Sequence, residues 1–176
     1  MILGLSTPTF TLVHVVLSLF GILSGLFVLV GMLAAKRRPG WTLLFLATAI
    51  ATSVTGFFFP SDSFSPAHIV GVLSLVALVV ALVARYVSRL AGAARWIYVM
   101  AALIALYLDV FAGVVQAFQK LAFLQALAPM QSEPPFLYTQ LAVLAIFVVL
   151  GIAAIVRFRP APPQPAGAMD IRRAGA

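Results

Sequence analysis

Five long apolar runs, separated by short polar breaks, set the pattern of this chain. The runs are Phe10 to Ala35, Trp41 to Phe59, Ala67 to Ala84, Trp96 to Phe118 and Phe136 to Val156. Each is roughly 18 to 26 residues long, enough for a helix rising about 1.5 Å per residue to cross a hydrocarbon layer of about 30 Å. The first break, Lys36, Arg37, Arg38, Pro39 and Gly40, is a tight basic turn, and the second, Pro60, Ser61, Asp62, Ser63 and Pro66, carries turn chemistry. A connection holding Arg85, Arg89 and Arg95 forms the third. Gln119 to Pro135 is too polar and proline-broken to span. Within it, Leu121, Phe123, Leu124 and Leu127 predict a short interfacial helix rather than a further turn of the fourth run. Met1 to Thr9 holds no basic residue and the run after it is longer than the apolar core of a secretory signal, so the first run reads as an uncleaved helix.

The expected fold is therefore an all-α polytopic transmembrane bundle of five spanning helices over residues 1–156. A disordered Pro/Ala-rich cytoplasmic tail is expected over 157–176.

Composition supports this reading. The 176 residues are 64% hydrophobic and 9% charged, with a mean hydropathy of +1.16, which is the profile of a membrane protein. The formal charge of +7 does not point to nucleic acid, because the cations border apolar runs instead of forming one basic face. They report topology. If the Lys36 turn is cytoplasmic, ten of the eleven Lys and Arg residues fall on that side and only Lys120 lies opposite, so the N-terminus is outside and the C-terminus inside. Trp41 and Trp96 then sit at cytoplasmic helix ends, and Phe57, Phe58, Phe59, Phe136 and Tyr138 at outer ends, as aromatic belts do. The expected location is a bacterial inner membrane, with the lipid bilayer as partner and a homo-oligomer or membrane-complex partner open. The tail arginines can touch anionic headgroups, but four over about twenty residues is a weak lipid switch.

Asp109 is the singular residue. A carboxylate near the middle of a spanning helix costs about 2.5–3.5 kcal/mol on insertion scales, so it faces the bundle interior and is a functional candidate by default. Steps of four, seven and eleven residues place Gly113, Gln116 and Lys120 on its face. On the first helix His14, Ser18, Gly21 and Gly25 share a face, and Gly21 to Gly25 is a GxxxG spacing that permits close helix contact. On the second, Thr48, Thr52 and Thr55 share one. Counting about 1.5 Å per residue from the outer ends gives an outer layer of His14, His68, Thr55, Gln116 and Gln140, and a deeper one of Ser18, Thr52 and Asp109. These eight residues make up the expected outward-facing polar pocket. Set against that, hydroxyls and small residues on bundle faces are also ordinary interhelical packing.

Several chemistries can be weighed on these residues. His14 and His68 on separate helices are the minimum set for a single bis-histidine haem b, although membrane cytochromes usually carry more histidines. A metal site is less favoured, since Asp109 is deep and Asp62 and Glu133 are in loops. A small transporter or proton relay would use Asp109, Ser18 and Thr52 below a vestibule of His14, Gln116 and Gln140, and five helices make a small permeation path unless the protein oligomerises. A non-catalytic membrane subunit is the third class. No enzyme is expected: there is no nucleophile and base pair, phosphate loop or metal-spaced cluster, and with no Cys there is no thiolate chemistry.

The first two hairpins can also be superposed as a duplication. "HVV" at His14 precedes Trp41 by 27 residues and "HIV" at His68 precedes Trp96 by 28, which would imply a pseudo-two-fold axis along the membrane normal. Finally, "TSVTGFFFP" at Thr52 to Pro60, "PAHIVG" at Pro66 to Gly71, "QAFQK" at Gln116 to Lys120 and "QSEPPF" at Gln131 to Phe136 together resemble a family of uncharacterised small multi-pass membrane proteins of bacteria. The resemblance implies location and topology but no chemistry.

Overall fold

The computed structural model describes residues 1–60 and 65–159. Its elements are α1 (Thr7–Leu33), α2 (Pro39–Gly56), α3 (Pro66–Leu82) continued by a π turn (Val83–Val87), α4 (Ala94–Lys120), α5 (Ala122–Leu127) and α6 (Pro134–Arg157). Among the described residues there is no strand beyond an isolated Ile2–Leu5 bridge. The expected turn residues Ser61, Asp62 and Ser63, and the tail from residue 160 onward, lie outside the described residues. Helix α6 runs two residues past the apolar pattern's start and one past its end, and Phe158 beyond it is buried.

Prolines explain most boundary shifts. α1, α2, α3 and α6 each carry Pro in their first two positions, where the missing N–H has no intrahelical partner to lose. Residues that read as breaks are thus first turns. α4 ends at Lys120 because Leu121 is extended (φ −90°, ψ 113°), so α5 is a separate short helix, with Phe123 and Leu127 exposed.

Four helices are long and apolar enough to cross a membrane: Thr7–Leu33, Pro66–Val87, Ala94–Lys120 and Pro134–Arg157. α2, 18 residues long, is less apolar, since it carries Thr42, Thr48, Thr52, Ser53 and Thr55. α1 packs on α2 and α3 on α4, while α4 also touches α1, α2 and α6. The core along α4 uses small residues, with Ala102 and Ala105 in one buried cluster together with Leu46, Ala49, Leu78 and Ala81. Small residues let helix backbones approach where lipid removes any hydrophobic drive to associate. The outer surface is apolar instead. α6 buries only Gln140, Gly151 and Ala154 and exposes Leu141, Leu144, Ile146, Val148, Val149, Ile152 and Val156, a continuous apolar face far larger than monomers in water present.

The basic turns meet at one end of the bundle. Lys36, Arg37 and Arg38 from the α1–α2 turn, Arg85 from the π turn and Phe158 after α6 line a single cavity. Arg95 Nη1 donates to the Ile155 carbonyl at 3.1 Å and to that of Phe158, a cation on the last carbonyls of a helix. Three connections separated by dozens of residues are thereby tied together.

Candidate functional site

Helix α1 is notched at two glycines, and the notches decide where Asp109 sits. A Cβ at Gly25 would lie 2.5 Å from Leu106 Cδ1 and 2.9 Å from Phe45 Cδ2, so α1, α2 and α4 close tightly there. One turn away, a Cβ at Gly21 would lie 3.6 Å from both Asp109 Oδ2 and Thr48 Oγ1. The carboxylate therefore faces the joint of three helices, and Asp109 is only 9% exposed. Its Oδ2 has no hydrogen-bond partner among the described residues, although a buried polar atom ordinarily finds one.

Helices α1 and α2 are antiparallel, and two contacts fix their register. Gly21 is level with Thr48, and His14 Nδ1 lies 2.8 Å from Thr55 Oγ1. Both pairs sum to the same number, which puts Ser18 level with Ala51, next to Thr52 in sequence. The result is a polar ladder of about 10 Å, seven residues at about 1.5 Å each, from Asp109 to His14. Along it, Ser18 Oγ donates to the His14 carbonyl at 2.8 Å, and Thr55 Oγ1 donates to the Ala51 carbonyl at 2.7 Å. With that proton on Ala51, His14 Nδ1 carries the hydrogen and Nε2 is left as an acceptor. Thr52 Oγ1 is buried without a partner. On α4, Gly113 also faces α1, since a Cβ there would touch Ile22 at 3.5 Å.

The other expected residues have separate places. His68 belongs to the start of its own helix: the Ser65 N–H donates to His68 Nδ1 at 3.1 Å, with Ser65 Oγ at 2.9 Å, a reach-back from the third helical residue to the N-cap. Its ring packs on Phe57 at 5.5 Å, whereas that of His14 packs on Phe59 at 5.0 Å. The repeated histidines thus stand in different local settings: His14 bridges α1 and α2, and His68 reaches the N-cap of its own helix. Gln140 is buried between α6 and α4, its Nε2 donating to the Phe111 carbonyl at 3.3 Å, and its Oε1 has no partner. Gln116 is exposed. Among the described residues no three His, Cys, Asp or Glu side chains gather to hold a metal ion.

Two features were not visible as a site in the sequence. Thr48, left out of the expected pocket, is the hydroxyl that shares the Gly21 notch with Asp109. The basic turns, which read as topology signals, also enclose a cavity with Thr42 and Tyr98 in its wall.

No protein-family model matches the chain, and no curated protein or solved structure is similar to it. What stands is an all-helical bundle with four helices fit to cross a membrane.

Proposed function

We propose that this chain is a five-span integral protein of a bacterial inner membrane, N-terminus outside and C-terminus in the cytoplasm, in which Asp109 takes up and releases a proton. The class is a small transporter or proton relay. Support for the fifth span comes from geometry: α1 and α3 both end at the basic cavity, so α2 must return the chain across the whole bundle, and 18 residues reach about 27 Å at about 1.5 Å apiece. Its hydroxyls are tolerable in lipid because Thr42 and Ser53 are buried and Thr48 and Thr55 bond to their own helix. Support for the orientation is the gathering of cations at one end, and for the organism the resemblance of the loop stretches to bacterial multi-pass proteins.

The observation that carries the functional reading is Asp109 Oδ2, buried and without a hydrogen-bond partner among the described residues, on the helix face that leads outward to the His14–Thr55 pair. A buried intramembrane acid without a hydrogen-bond partner among the described residues, sharing a helix notch with the Thr48 hydroxyl, supports a relay role. The test is an infrared titration of the protein in lipid across the pH range in which it stays folded. A carboxyl band that appears and disappears with pH and is missing in Asp109→Asn supports the reading; a band unchanged by that substitution refutes it. Thermal stability of the same variant separates a structural acid, whose loss shifts the midpoint without removing a titrating band.

A further inference from the structure

The cavity at the basic end is built from charges that the bundle leaves uncompensated. Lys36, Arg37, Arg38 and Arg85 line it together with Thr42 and Tyr98, which are 2% and 1% exposed. Arg38 Nε and Arg85 Nε are buried and have no hydrogen-bond partner among the described residues. Asp109 is at mid-bundle and Glu133 precedes α6, at the opposite end, so no described carboxylate answers these cations.

The arginines are also held in place. A Cβ at Gly31 would lie 3.0 Å from Arg38 Cδ and 3.1 Å from Cγ, so the Arg38 stem lies flat on α1 where only glycine leaves room. The turn before it closes with Lys36 N–H on the Gly31 carbonyl at 2.8 Å and Ala35 at φ 54°, a left-handed cap usually given to glycine. Arg85 sits in the π turn, 5.4 Å from the Tyr98 ring and 5.6 Å from that of Tyr86, a cation stacked on aromatic faces. Arg89 and Leu90 after it have φ 50° and 61°, strain of the kind that collects at binding sites.

We infer that this cradle binds a phosphate-class anion, as a lipid headgroup or as free phosphate. The enclosed space is about 10 Å³, room for one water-sized oxygen. One anionic oxygen therefore enters between Arg38, Arg85 and Thr42 while the rest stays at the rim, where Lys36 and Arg37 are exposed. Guanidinium groups suit this, since their fixed N–H forks match phosphate oxygens.

The test measures melting midpoints of the full chain in two arms at constant ionic strength: nanodiscs of phosphatidylcholine with and without phosphatidylglycerol, and detergent solution with inorganic phosphate against chloride. A bound anion raises the midpoint, by about 3 °C or more at saturation. A rise in the first arm alone identifies a headgroup, and a rise in the second identifies free phosphate. Either supports the inference if the rise is lost in Arg38→Gln/Arg85→Gln and kept in Arg157→Gln, a cation at the same end outside the cavity. Gly31→Ala, which keeps every charge but displaces the Arg38 stem, should reduce the rise and serves if the double variant does not fold. No rise in either arm, or an equal rise in all variants, overturns it. So does a rise seen only in Asp170→Asn, which would mean that the tail's own carboxylate fills the cradle.

Discussion

Gly25→Ala should destabilise the bundle while Gly21→Ala, four residues away on the same helix face, should not. Both substitutions gain the same helix propensity, roughly 0.8–1 kcal/mol, so their difference isolates packing. At Gly25 the new methyl would stand 2.5 Å from Leu106 Cδ1 and 2.9 and 3.0 Å from two carbons of the Phe45 ring. Leu106 and Phe45 are each 1% exposed and have no free volume to swing into, so α1 must move off α2 and α4. Overpacking of this kind costs about 1–3 kcal/mol. At Gly21 the nearest atoms are at 3.6, 3.6 and 3.7 Å, ordinary contact. The Gly25 variant should therefore be less stable than the Gly21 variant by about 1–3 kcal/mol, on the order of 5- to 150-fold in the unfolding constant. Reversible unfolding in mixed micelles, followed by Trp41 and Trp96 fluorescence, measures it. Equal stabilities, or the reverse order, would refute the assignment of Gly25 as the tight joint.

Three further outcomes are expected. Because the chain has no Cys, His14→Cys/Thr55→Cys should cross-link under mild oxidation, since the two side chains touch, and His14→Cys/Thr48→Cys should not; the opposite result would put the polar face out of register. Arg95→Gln should free the end of α6 by removing charged hydrogen bonds to the Ile155 and Phe158 carbonyls, worth about 1.5–3 kcal/mol each at most, and faster proteolysis after Phe158 would report it. Glu133 titrates below its ordinary value: desolvation pulls upward, but the backbone N–H groups of Met130, Glu133, Ser132 and Gln131 together outweigh it. The order this gives the turn before α6 is therefore present above the ordinary carboxylate value and lost as pH falls through the lowered one, so amide exchange at Met130 and Ser132 should quicken only in acid, and at all pH values in Glu133→Gln.

Much of the fold was legible because lipid imposes a length and a polarity on each helix, and Phe10 to Ala35 or Phe136 to Val156 satisfy both without reference to neighbours. The boundaries slipped where Pro39, Pro66 and Pro134 read as breaks; only knowledge of the helix direction makes proline a first-turn residue. The face shared by His14, Ser18 and Gly21 was legible from periodicity alone. Which residues they meet was not, because register between helices is set by side-chain volumes at Gly25, Phe45 and Leu106, and no pattern within one helix encodes its partner's offset. That is why Thr48, outside the expected pocket, is the hydroxyl found at the Gly21 notch that Asp109 faces. The basic cradle was hidden for a different reason: Lys36, Arg38 and Arg85 fully satisfy the topology rule, so nothing in the sequence asks for a second explanation.

In a bilayer the helices gain little from burying apolar surface against each other, and the contacts that select this arrangement are few and local. The Gly25 joint closes α1, α2 and α4. The His14–Thr55 bond fixes the far end of α1 on α2. Gln140 and Arg95 hold α6 to α4 at two levels. Asp109 contributes to none of these. It lies one turn from a joint that is already closed, its Oδ2 meets no donor, and an apolar residue of similar size there would remove an insertion cost of about 2.5–3.5 kcal/mol without breaking any hydrogen bond seen in the bundle. Under the proposed proton-relay reading, a carboxylate that these contacts do not use and that lipid penalises is retained for the proton it takes up, with the His14–Thr55 pair at the outer end of the same face.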